Sequence, residues 1–182
     1  MELGLIILVS YIMGSIPFGF ILTKIFLKKD IRKIGSGNIG ATNVLRTGNK
    51  LVGYITLSLD ILKAIIPLLV IKFNFPEFIF LSALSIFLGH VFPIWLKFKG
   101  GKGVATYVGM LFCINYILGF VFILSWFIVF IISRYSSLSS LIASLIIPIY
   151  HFFIILFILI FYTHRENVKR LINNTESKTK IY

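Results

Sequence analysis

Five apolar stretches, at about Leu3–Leu27, Leu51–Phe73, Phe78–Leu96, Val104–Ser133 and Leu138–Thr163, fill most of this 182-residue chain. About 20 apolar residues suffice for a helix to cross the ~30 Å hydrocarbon core of a bilayer. A soluble domain of this length could not hide so much apolar surface: 58% of the residues are hydrophobic and the mean hydropathy is +1.00. The chain is expected to be an all-α integral membrane protein, and by its length one multi-span domain over residues 1–182.

The net charge of +12 sits in blocks near the ends of the apolar stretches. A nucleic-acid binder would carry a basic face on a soluble fold. Here the blocks read as cytoplasmic anchors and as attraction for anionic headgroups or substrates, so no nucleic-acid partner is expected. The single cysteine, Cys113, lies in an apolar stretch, which excludes an intrachain disulfide and reads as a packing residue. The first stretch lacks the basic lead and cleavage site of a signal peptide and reads as a retained span.

Lys28, Lys29, Arg32 and Lys33 follow the first stretch, which predicts an external N-terminus and a cytoplasmic first loop. Asn74–Glu77 is then an external turn, and Lys97, Lys99 and Lys102 return to the cytoplasm with the basic tail. Val104–Ser133 would make a helix of roughly 45 Å at 1.5 Å per residue, too long for one upright span and short for two. Leu138–Thr163 has the same ambiguity, with Pro148 able to break it. Five and seven spans both place the tail inside; Arg134 favours seven. The small residues Gly4, Gly14, Ser15, Gly19, Ser82, Ser85 and Gly89 read as helix–helix contacts. The polar tail after about Asn173 is expected to fray.

Three polar islands interrupt this pattern: Gly35–Asn43 with Arg46, Lys97–Gly103, and His164–Asn167. On one membrane face they could form one site for a phosphorylated substrate at the bilayer surface. In the first, glycines allow positive φ and close approach of N–H groups to an anion. Ser36, Asn38, Thr42 and Asn43 add neutral donors, and Arg46 adds a forked cation that matches phosphate oxygens. In the second, Gly100, Gly101, Lys102 and Gly103 open a helix at Val104, where a phosphate would meet N–H groups, a lysine and a positive helix end. It is not a Walker A loop, which argues against a nucleotide triphosphatase. In the third, His164 and Asn167 share a face if the helix continues, and histidine can move a proton near neutral pH. Solvated anchoring loops would share much of this composition. His90 and His151 read as satisfied packing residues or turn donors. Asp60 and Lys63, at i and i+3 in the second stretch, can neutralise each other, as a functional pair or a structural one.

The absences are informative. The six acidic residues are scattered, with no Asp-rich signature of metal-dependent alcohol phosphatidyltransferases. The His-x-x-x-x-Asp of common glycerolipid acyltransferases is missing: Trp95, Leu156 and Lys169 stand five positions after the histidines.

Gly-Ser-Ile-Pro-Phe-Gly at Gly14–Gly19, Gly-Ser-Gly-Asn-Ile-Gly-Ala-Thr-Asn with Arg46, Gly-His-Val-Phe-Pro with Lys-Gly-Gly-Lys-Gly-Val-Ala-Thr, and His-Arg-Glu-Asn-Val-Lys-Arg-Leu occur in this order. With them the chain resembles the bacterial PlsY family of membrane acyl-phosphate:glycerol-3-phosphate acyltransferases. The resemblance implies a bundle of seven transmembrane helices, some short, in the bacterial plasma membrane. It also implies an external N-terminus, a cytoplasmic C-terminus and a cytoplasmic-side site. The implied substrates are acyl phosphate and glycerol 3-phosphate. The implied products are 1-acyl-glycerol 3-phosphate and inorganic phosphate, with no metal and no other cofactor. It gives catalytic parts to Ser36, Arg46, Lys102, His164 and Asn167. It gives substrate or phosphate binding to Gly37, Asn38, Thr42, Asn43, Gly100, Gly101 and Gly103, and more loosely to Ser137 and Ser140. Acyl phosphate is a mixed anhydride whose phosphate leaves readily, which suits the missing His-x-x-x-x-Asp. Direct transfer is expected, with the substrate phosphate or His164 taking the proton; an acyl-Ser36 intermediate is the rival. A small anion or phosphate transporter and a structural membrane subunit are the alternatives from other classes.

Overall fold

A computed structural model describes residues 2–147 and 151–179, the side chain of His151 excepted. Every element among them is helical. Residues 1–114 and 115–182 form two compact units.

The first unit contains α1 (Glu2–Ser15), α2 (Phe18–Phe26), the short α3 (Ala41–Leu45), α4 (Lys50–Asn74), α5 (Ile79–Val91) and α6 (Val104–Ile114). The first apolar stretch is thus two helices, broken at Ile16-Pro17, because proline cannot donate to the helix ladder. Asn49 starts α4 by accepting from the Val52 N–H at 3.0 Å. Helix α1 packs along α5, and α4 packs against α6. A side chain at Gly14 would overlap the Ile86 backbone, and one at Gly89 the Tyr11 carbonyl, so these two glycines set the close α1–α5 approach. Gly4 has no such neighbour and plays no part in it. Ser10 and Ser82 bond across the same seam at 2.8 Å, and Tyr11 donates to the Phe92 carbonyl at 2.7 Å. Cys113 is buried, as expected of a packing residue.

The second unit contains α7 (Tyr116–Ser133), α8 (Ser136–Ile146), α9 (His151–Thr163) and α10 (Arg165–Ile172). The fourth apolar stretch is therefore divided at Asn115, whose side chain accepts from the Ile117 N–H at 3.0 Å and caps α7. Arg134, at φ 63°, ends α7 with its N–H on the Phe130 carbonyl. The fifth stretch also holds two helices, α8 and α9; Pro148, the expected breaker, lies outside the described residues.

Among the described residues, four helical stretches are long and apolar enough to cross a membrane: Glu2–Phe26, Lys50–Asn74, Pro76–Leu96 and Tyr116–Ser133. Three shorter apolar helices accompany them: Val104–Ile114, Ser136–Ile146 and Phe152–Thr163. Helix α6 measures only about 16 Å at 1.5 Å per residue, well under the hydrocarbon thickness. Large apolar side chains such as Phe120, Leu124, Phe127 and Ile131 stand exposed along α7, as suits lipid contact.

Candidate active site

The first island rides on a small apolar cluster of Ile31, Ile39, Val44, Val52 and Leu96, which seats residues 31–46 against the helices. Its shape is set by one amide. Asn43 is 2% exposed. Its Nδ2 donates to the carbonyls of Ile31 (3.2 Å), Ile34 (2.9 Å) and Asn38 (2.8 Å). Its Oδ1 accepts from the Ser36 N–H at 3.0 Å. Asn38 bonds the Gly40 N–H at 2.8 Å, a local turn that starts α3. Asn43 and Asn38 thus spend their side chains on the loop itself.

The exposed groups are Ser36 and Arg46. Gly35, at φ 55°, lets the Arg46 stem lie beside it: a Cβ there would stand 3.1 Å from Arg46 Cδ. Thr42 is half-buried on α3 and Gly37 turns at φ 71°. Arg32 is bound instead by Asp30, Nε to Oδ1 at 3.0 Å and the terminal nitrogen to Oδ2 at 2.8 Å. That hydrogen bond holds the Asp30 carboxyl well below the usual range. Arg46 has no carboxylate partner among the described residues.

The second island is organised by its own backbone. The N–H groups of Gly100 and Gly101 donate to the carbonyls of Val91 and His90, both at 3.0 Å. Those two donors, expected to face an anion, are therefore spent on the end of α5. Here the glycines serve close packing. A Cβ on Gly101 would come 2.7 Å from His90 Cε1. One on Gly103, at φ 84°, would strike the Phe87 ring. Lys102 is half-buried between them, directly before the first turn of α6.

Behind this loop lies a buried charged group. Lys63 Nζ pairs with Asp60 Oδ1 at 2.7 Å and donates to the Ile16 carbonyl, in the α1–α2 break, at 2.8 Å. His90 Nδ1 lies 3.9 Å from Asp60 Oδ1 and makes no hydrogen bond among the described residues. His90 is a packing residue, as expected, but its Nδ1 is not satisfied. Of the two readings open to the Asp60–Lys63 pair, the helix break gives the structural one a concrete partner. The His151 side chain lies outside the described residues.

In the second unit, α9 and α10 run almost continuously through His164, whose carbonyl accepts from Val168 N at 2.9 Å. His164 and Asn167 are 2% and 3% exposed. His164 Nδ1 is 2.8 Å from the Ile160 carbonyl. A carbonyl only accepts, so Nδ1 carries the proton, and in the neutral ring Nε2 holds the lone pair. Ser137 and Ser140 differ. Ser140 donates to the Ser136 carbonyl at 2.8 Å and accepts from Trp126 Nε1 at 3.1 Å, so its hydroxyl is engaged within the helices. Ser137 donates to Glu176 Oε1 at 2.9 Å, which Asn167 Nδ2 also reaches at 2.7 Å.

Glu176 was invisible to sequence reasoning, because it sits in the tail expected to fray. The described tail is instead tied down. Thr175 and Glu176 donate their N–H groups to the Arg170 carbonyl at 2.8 and 3.1 Å, and Thr179 donates to the Arg134 carbonyl at 2.9 Å.

The family described as glycerol-3-phosphate acyltransferase matches residues 4–174. A glycerol-3-phosphate acyltransferase of Pelagibacter ubique is 69% identical, over 100% of both chains. One of Bartonella henselae is 51% identical over 96% of this chain and 90% of its own. The crystal structure of PlsY (YgiH), an integral membrane glycerol 3-phosphate acyltransferase, in its glycerol 3-phosphate form superposes with a TM-score of 0.91. That match has 35% identity and covers 99% of this chain and 96% of that one. The lysophosphatidic acid form gives 0.87, at 34% identity, over 98% and 95%. Two glycine-rich basic loops, a buried histidine of fixed tautomer and these full-length likenesses agree: the chain belongs to the PlsY family of integral membrane glycerol-3-phosphate acyltransferases, enzymes that form lysophosphatidic acid.

Proposed function

We propose that the chain transfers the fatty acyl group of acyl phosphate to the 1-hydroxyl of sn-glycerol 3-phosphate at the cytoplasmic face of a bacterial plasma membrane. In this reading residues 1–182 act as one catalytic domain of seven spans, the N-terminus external and the C-terminus cytoplasmic. The four long and three short apolar helices support that count, and the basic first loop and tail support that orientation. The observation that carries the substrate reading is the full-length likeness to a structure in its glycerol 3-phosphate form.

The hydroxyl oxygen attacks the acyl carbon, the bond from that carbon to the phosphate oxygen breaks, and phosphate leaves with the electron pair. The hydroxyl proton passes to the departing phosphate or to His164 Nε2, the nitrogen that the Nδ1 bond to Ile160 leaves basic. Arg46 and Lys102 stabilise charge on the phosphoryl groups. Thr42 and the turns at Gly37 and Gly103 shape the two loops. Two of the expected N–H donors are spent, so Lys102 and the N–H groups of the first turn of α6, which have no partner within the helix, supply the anion contacts of the second loop. Ser36, Asn167 and Ser137 position the glycerol.

Purified protein given palmitoyl phosphate and glycerol 3-phosphate is expected to release inorganic phosphate and form the 1-acyl product, equally with and without chelator. Turnover only with a thioester donor would overturn the acyl phosphate assignment. Radiolabel left on the protein after a single-turnover quench would replace direct transfer with an acyl-Ser36 intermediate.

A further inference from the structure

The reaction outlined above makes no use of His90, yet the second loop is shaped on this residue twice over. The His90 carbonyl accepts the Gly101 N–H at 3.0 Å. The His90 ring fills the space beside the same glycine. The three atoms nearest to a Cβ at Gly101 would all belong to that ring: Nε2, Cε1 at 2.7 Å and Cδ2 at 3.0 Å. Phe87, three residues earlier on the same face of α5, stands against Gly103 in the same way. The end of α5 thus meets the glycines on both sides of Lys102.

The ring is itself seated from behind. His90 is 4% exposed. Its Nδ1 edge faces Asp60 Oδ1 at 3.9 Å, the oxygen that pairs with Lys63 at 2.7 Å. Lys63 in turn holds the Ile16 carbonyl at 2.8 Å. The ring is therefore wedged between a buried ion pair of α4 and the backbone of residue 101. Successive glycines have the widest backbone freedom in the chain, so a loop built of them takes its course from what it packs against. Lys102 is the next residue after Gly101, and α6 starts at Val104. A misplacement of about 1 Å in a group that meets the reacting atoms costs on the order of 100-fold in rate.

We infer that His90 is a positioning residue for Lys102: its carbonyl and ring, seated against the Asp60–Lys63 pair, set the course of Gly101 and so the place from which Lys102 meets its anion. The inference rests on the reading that Lys102 stabilises phosphoryl charge. It gives the buried group of α4 a part in the reaction that is exerted through the loop.

A double-mutant cycle in the full-length purified enzyme tests it. His90→Ala keeps the carbonyl and removes the ring, and its kcat/KM is expected to fall about 30-fold or more. In a Lys102→Ala background the same change is expected to cost less than threefold, because the ring acts through Lys102. Gly101→Ala attacks the same contact from the other side and leaves the buried group intact. It is expected to lose activity alike, and it completes the same cycle with Lys102→Ala if His90→Ala does not fold. Adding His90→Ala to Gly101→Ala should recover at least threefold, since the new methyl enters the space that the ring leaves. A lost anion contact at Gly101 would not be restored in this way. A kcat/KM of His90→Ala within threefold of wild type would overturn the inference. So would a full loss repeated in the Lys102→Ala background, which marks general destabilisation, or a Gly101→Ala defect that His90→Ala leaves unrelieved. If Lys102→Ala turns over as wild type does, the reading of Lys102 falls and the inference with it. If Lys102→Ala is impaired and His90→Ala is not, the inference alone falls.

Discussion

Asn43 and Glu176 are each a single buried side chain that gathers the groups around it, and they do so by opposite chemistry. Asn43 is an amide, donor and acceptor at once, and it gathers backbone: three carbonyls and one N–H of the loop 31–43. Glu176 is a carboxylate, acceptor only, and it gathers side-chain donors from α8 and α10. The amide fixes the path of a chain, so that Ser36 and Arg46 stand out from it. The carboxylate fixes the side chains around it. The first device does not titrate; the second does.

The comparison breaks most easily at Asn43. Asn43→Asp replaces the donor with a buried negative charge facing three carbonyls. Thermal unfolding in detergent is expected to show a loss of about 3–5 kcal/mol, the usual cost of an uncompensated buried charge. A variant as stable as wild type would show that the loop does not depend on the amide. Arg46→Ala sharpens the distinction between what holds the loop and what the loop displays. Its kcat/KM should fall about 100-fold, or ~2.7 kcal/mol, with stability unchanged within about 0.5 kcal/mol for an exposed side chain. A matching drop in melting temperature would place Arg46 among the supports.

In the second unit, Ser137→Ala removes one bond to Glu176, at a cost of about 1 kcal/mol, and should raise the KM for glycerol 3-phosphate. Ser140→Ala, whose hydroxyl bonds within the helices, should leave that KM within twofold. Equal effects would erase the difference drawn between the two serines. The smallest effect concerns pH. Burial pushes the Glu176 carboxyl up, but the bonds from Arg170, Asn167 and Ser137 together outweigh it and leave a folded-state value below the ordinary 4.5. Its contribution is therefore complete above that value and is lost as pH falls through the lower folded one. Between pH 7 and 5 neither hub should change. Below about pH 4, limited acid proteolysis should cut at residues 173–179 before it cuts at residues 35–46. The reverse order would contradict the assignment of the titrating hub.

Much of this was legible in the chain, and the reasons are local. Hydrophobic length gave the membrane class, and the glycines with Arg46 and Lys102 marked both loops. The jobs of individual polar groups were harder to read. Asn43 looks like a ligand donor until the carbonyls it serves are seen, and the N–H groups of Gly100 and Gly101 look available until α5 is placed against them. Asn115 carries a readable signal, a capping residue inside an apolar stretch, which length alone overrode. Glu176 carried no local signal, because Arg170 stands six residues before it, off helical spacing, and its other partners are 9 and 39 residues away. A long-range bond of this kind leaves no periodicity and no motif.

The lysine bonded to the Ile16 carbonyl has a consequence for biogenesis. Breaking a helix inside lipid takes main-chain oxygens off the helix ladder; the Ile16 oxygen meets the Phe18 N–H of its own segment at 3.1 Å, and its second partner, the ammonium, belongs to α4. The amino-terminal segment on its own thus lacks one of the two contacts that fix its bend. The bend gains its charged contact only after the next long helix has been synthesised, so the amino-terminal half is completed from outside its own segment.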